Sequence, residues 1–139
     1  MQRQIVSSGR IWEPIIGYSR AVRVDGIIHV AGTTATDDSG YPVAYGDPYA
    51  QSVQAIRIIE AALKTVGSGL KDVVRTRIYV TNMDDWKEVA RAHNEFFSEI
   101  RPASTIVEVT RLIEPELLVE IEVEAINAEL MNSDNKATA

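Results

Sequence analysis

From Val119 to Ala125 the chain alternates strictly, with Val119, Ile121, Val123 and Ala125 set against Glu120, Glu122 and Glu124. A period of two belongs to a strand with one buried face, so three carboxyl groups share the other face at about 7 Å spacing. Like charges so placed repel unless water or cations surround them. A carboxyl whose ionised form is disfavoured has its pKa raised, toward the range in which it can take a proton from water and return it. Such a group can serve as a general acid or base. The competing outcome is a solvated or neutralised face. The segment Asp72 to Thr81 also alternates, with Arg75, Arg77 and Tyr79 on one side and Val74, Thr76, Ile78 and Val80 on the other. If this strand lies beside the glutamates, its guanidinium groups can turn any of them, Glu120 included, into a structural ion-pair partner.

The elements that must position these groups are legible from pattern and punctuation. A first strand is expected near Gln4 to Ser7, then an ordered loop from Ser8 to Gly17, anchored by Trp12. Asp25-Gly26 is a hairpin turn between Ala21–Val24 and Ile27–Ala31, with Val22, Val24, Ile28 and Val30 expected on one face and Arg23 and His29 on the other. Thr33 to Asp47 reads as a long loop. Asp47 as N-cap and Pro48 at N1 open a helix whose apolar positions Val53, Ile56, Ile59, Leu63 and Val66 recur at helical spacing until Gly67. A second helix, capped by Asp84 and Asp85, runs from Trp86 to about Ile100 with Trp86, Val89, Phe96 and Phe97 inward, and Arg101-Pro102 ends it. Two strand-like runs fill Pro102 to Ile126. The order βββαβαββ predicts an α+β domain, a mixed sheet with two helices packed on one face.

The whole is 139 residues, 45% of them hydrophobic, enough for one core, expected over 1–130 with a frayed tail at 131–139. A net charge of −6 with no clustered basic surface disfavours nucleic acid as a partner. No apolar run approaches the length of a membrane span, and no signal-like segment opens the chain, so a cytoplasmic protein without membrane contact is expected. Zero cysteines exclude a thiol nucleophile and a thiolate metal site. His29 and His93 stand on different elements without a carboxylate at metal-ligand spacing, and Asp37-Asp38 lacks the rest of a calcium loop, so no metal is expected. Ser7, Ser8 and Ser19 have no nucleophile-elbow context and read as turn residues.

Pro102-Ala103, Val107-Glu108-Val109, Arg111-Leu112, Pro115-Glu116 and the run Leu118 to Glu122 together resemble the C-terminal signature of the RidA/YjgF family. Gly17-Tyr18-Ser19, Ala21-Val22 and Val30-Ala31-Gly32 resemble its first hairpin, so the likeness covers nearly the whole chain. Many members hydrolyse enamines and imines. The resemblance implies a chorismate-mutase-like fold, a homotrimer whose sheets form a barrel-like core, a cleft between subunits for a small carbonyl or imine compound, and no cofactor. It also makes Glu120 the residue that orients water and places Tyr18, Ala31, Gly32 and Thr105 around the ligand. Two positions depart from the deaminase pattern: Ser104 stands where those enzymes carry arginine, and Ala90 where they carry asparagine. Two functions follow, an imine hydrolase with altered substrate choice or a trimeric metabolite-binding protein that has lost catalysis.

Overall fold

The structure is a computed structural model and describes residues 3–131. Six strands, β1 (Arg3–Val6), β2 (Ala21–Val24), β3 (Ile27–Thr34), β4 (Val73–Val80), β5 (Ala103–Glu108) and β6 (Val119–Ile126), form one sheet in the order β1-β2-β3-β6-β4-β5. Only the β4–β5 pair is parallel. The helix between those two strands supplies the crossover that parallel pairing requires. The expected α+β layering holds. Helices α2 (Pro48–Thr65) and α3 (Trp86–Phe97) pack on the face that presents Ile28, Val30, Ile78, Val80, Ile121 and Val123, and with them enclose the core.

Local chemistry explains most boundaries. The Asp47 carboxylate accepts from the Ala50 amide at 2.9 Å and Pro48 opens α2, as the sequence predicts. At α3 the cap differs: Asn82, not an aspartate, accepts from Asp84 N at 2.9 Å and starts a short 3-10 turn, while Asp85 makes no side-chain cap bond. The helix closes at Phe97 rather than Ile100, and the Arg101 amide bonds the Phe97 carbonyl at 2.8 Å with Arg101 in the left-handed region at φ 56°. Trp86, expected inward, is half exposed. Within the loop before the hairpin, Trp12 begins an additional short helix, α1 (Trp12–Ile16), which Gly17 ends at φ 90°.

The hairpin's register corrects the expected faces. Val22 lies opposite His29 and Arg23 opposite Ile28, so Ala21 rather than Val22 joins Ile28 and Val30 on the core side. Directly paired residues share a face, and across a two-residue turn this sets one strand's alternation one step out of phase with a simple continuation. Met131 lies in a helical turn at residues 128–131, and the rest of the expected tail lies outside the described residues.

Candidate active site

Strands β4 and β6 are neighbours, and their pairing decides which glutamate is free. Arg75 lies opposite Glu124, Arg77 opposite Glu122 and Tyr79 opposite Glu120. The long side chains reach diagonally. Arg77 Nη1 donates to Glu124 Oε1 at 3.0 Å, and Arg75 Nε stands 4.0 Å from Glu124 Oε2. The Tyr79 hydroxyl donates to Glu122 Oε1, and that bond holds the phenol above its ordinary pKa. Both arginines and the tyrosine are thereby committed away from Glu120, whose carboxyl makes no hydrogen bond or ion pair among the described residues. Burial, more than any neighbouring charge, pushes the Glu120 carboxyl above its ordinary 4.5; Arg20 opposes this and Glu122 adds to it. The sequence attributed such a rise to flanking carboxylates, and the structure assigns the larger part to desolvation.

Two devices hold Glu120 in place. Ala31 and Gly32 together face Glu122, a bulge marked by the register step between Val30 and Thr33. At Gly32 a Cβ atom would come within 2.7 Å of Glu120 Oε2, so the carboxyl lies flat against backbone that only glycine leaves open. The second device is Gln51, fully buried on α2. Its Nε2 donates to the Glu116 carbonyl at 2.8 Å and its Oε1 accepts from the Leu118 amide at 2.8 Å, which fixes the chain just before Glu120.

Tyr18, Ala31, Gly32 and Glu120 line one cleft of about 380 Å³, with Trp12 and Ile113 on its apolar wall. Arg20 lies in the same wall, 5% exposed, and its guanidinium donates to the Gly32 carbonyl, the Thr33 hydroxyl and the Tyr18 hydroxyl at 3.0–3.2 Å. Sequence reasoning missed Arg20, because an arginine just before a strand carries no mark of burial. It also missed Glu13, which is buried and accepts from the Ser8 amide at 3.2 Å, tying down the loop at the cleft's edge.

Ser104 and Ala90 do not join this group. They line a second cleft, of about 580 Å³, between α3 and β5 on the helix-covered side, with Trp86, Arg91 and Arg101. There Thr76 Oγ1 donates to Ser104 Oγ at 2.7 Å and lies 2.9 Å from His93 Nε2. Burial lowers the His93 pKa, which favours the neutral ring. Thr105 is exposed, pairs with Arg77 on the uncovered face and lines neither cleft. Among the described residues no group of three His, Asp or Glu side chains could hold a metal ion, and no helix is long and apolar enough to cross a membrane.

Known proteins share this fold. The endoribonuclease L-PSP family matches residues 9–127. An uncharacterised Streptomyces coelicolor protein is 40% identical over 86% of this chain and 89% of its own length. The 3-aminoacrylate deaminase RutC of Acinetobacter baylyi is 31% identical over 87% of this chain and 95% of its own. Among solved structures, Rv2704 of Mycobacterium tuberculosis, described as a member of the YjgF/YER057c/UK114 family, superposes with a TM-score of 0.82 at 49% identity, over 91% of this chain and all of that one. With the family matched over most of its length, the chain is a member of the endoribonuclease L-PSP, or RidA/YjgF, family.

Proposed function

We propose that this protein hydrolyses enamine or imine compounds to a carbonyl compound and ammonia, as a cytoplasmic homotrimer, with Glu120 as its acid–base group. The observation that carries the reading is the isolation of Glu120: a desolvated carboxyl in a cleft, spared by the cations that take up its neighbour on the same strand. A carboxyl so held can receive a proton from a water molecule attacking an iminium carbon. It can then pass that proton to the nitrogen of the tetrahedral adduct, after which the carbon–nitrogen bond breaks and ammonia leaves, taking up the adduct's hydroxyl proton as the carbonyl forms. The net change is iminium ion plus water to carbonyl compound plus ammonium. The relative named 3-aminoacrylate deaminase supports this class of reaction.

Assembly follows from the division of the expected site. Tyr18, Gly32 and Glu120 lie in one cleft and Ser104 and Ala90 in another, so a site that uses both halves draws them from two subunits. The uncovered sheet face, where the Arg75, Arg77 and Glu124 ion pairs lie with Ile27, Val107 and Ile126 each at least 40% exposed, gives the subunits a mixed polar and apolar surface to share. Ammonia release from imines generated in situ, with wild type and with Glu120→Gln, tests the chemistry. Catalysis by the first and not by the second is expected. Equal rates would leave the alternative, a trimer that binds a metabolite without transforming it, which the serine and alanine at positions 104 and 90 favour. Light scattering on the same samples should return three times the monomer mass, and a monomer would refute the shared site.

A further inference from the structure

We propose that Ser104 is a nucleophile for acyl transfer, activated by His93 through Thr76, and that the larger cleft takes a small ester with an apolar acyl group. This activity is separate from the reaction proposed for Glu120. Thr76 and Ser104 are register partners on the parallel β4–β5 pair, so both side chains stand on the helix-covered face, where α3 brings His93 to the same point. Thr76 is fully buried, and its hydroxyl lies 2.7 Å from Ser104 Oγ and 2.9 Å from His93 Nε2. A hydroxyl both donates and accepts, and its hydrogen rotates, so the three groups can carry a proton from Ser104 toward His93 as well as the other way. Phe97 packs on the imidazole with ring centroids 4.6 Å apart, and burial favours the neutral ring, the form that accepts a proton. Ser104 itself is exposed in the cleft of about 580 Å³, a nucleophile at the surface with a base behind it. Trp86, Val89, Phe97 and Ile106 form the apolar part of the lining, and Arg101 adds a positive charge that favours an oxyanion.

In the reaction Ser104 Oγ bonds to the acyl carbon while its proton passes to Thr76 Oγ1 and the Thr76 proton passes to His93 Nε2. The carbon–oxygen bond to the leaving alcohol then breaks, and the alcohol takes the proton held on His93. Water repeats the attack on the acylated serine, which releases the acid and restores the hydroxyl, so that ester plus water gives carboxylic acid plus alcohol. The test uses p-nitrophenyl butyrate. Wild type should release nitrophenolate and carry a butyryl group on Ser104, located by peptide mass spectrometry, and Ser104→Ala should carry none there. His93→Gln, which keeps a hydrogen-bonding side chain but takes no proton, should acylate about a hundredfold more slowly. Thr76→Val should match it, and Thr76→Ser should stay near wild type. Because Thr76 is fully buried and Thr76→Val can fail to fold, His93→Gln and Thr76→Ser carry the comparison, with melting curves alongside. No butyryl group, one found only on other residues, or a folded His93→Gln that acylates as fast as wild type would overturn the inference. The last result would leave the Thr76–Ser104 bond as a tie between two strands.

Discussion

The two ends of the β4–β6 ladder carry the same residue type in the same alternation and meet different fates. At one end Glu124 faces two guanidinium groups and is held as a half-exposed ion-pair partner. At the other, Glu120 pairs in register with Tyr79, whose hydroxyl turns away to Glu122, a glycine bulge lies beside it, and Arg20 acts on it electrostatically without bonding it. The difference teaches that a carboxylate's chemistry is set by who is diagonal to it and by what the adjacent backbone leaves open. Glu122 lies between the two cases, hydrogen-bonded by the Tyr79 phenol.

The contrast is best broken in order of expected effect. Glu120→Gln should reduce ammonia release about a hundredfold or more, the usual contribution of a positioned proton-transfer group, with the melting curve showing an intact fold. Gly32→Ala is expected to lower the rate by about tenfold, because the new methyl must displace the Glu120 carboxyl while leaving the group chemically intact; an unchanged rate would show that the bulge does not position it. Tyr79→Phe, which frees Glu122, should cost about 1 kcal/mol in a denaturant titration and move activity little. Arg77→Ala should have the smallest effect, a stability change near the limit of detection and no change in rate, since its ion pair with Glu124 is open to solvent. A large loss of activity in Arg77→Ala would erase the distinction between the two ends.

Much of the scaffold was legible from the sequence, and for identifiable reasons. Strict alternation exposed β6 and most of β4, and the aspartate and proline at positions 47 and 48 announced α2. The hairpin faces were not legible, because the pairing of Val22 with His29 depends on turn geometry and not on the pattern within either strand. The inward placement of Val74 failed at a bulge: it is the extra residue between Val73 and Arg75, and it is exposed. In the site, Glu120, Tyr18, Ala31 and Gly32 came from the family resemblance and do meet in one cleft. That resemblance could not reveal that Arg75 and Arg77 both serve Glu124, nor that Arg20 is buried beside Tyr18. Such facts depend on side-chain reach across strands and on loop packing, which leave no periodic trace.

Carbon-13 titration of the side-chain carboxyl of Glu120, assigned by loss of its signal in Glu120→Gln, tests the account at its centre. Burial without a bonded partner disfavours the ionised form, so the folded protein should hold the proton to higher pH than a free glutamate does, and the midpoint should lie above 4.5. A Glu120 midpoint at or below 4.5 would show a carboxylate that is solvated or paired and would contradict the assignment of Glu120 as the proton-transfer group.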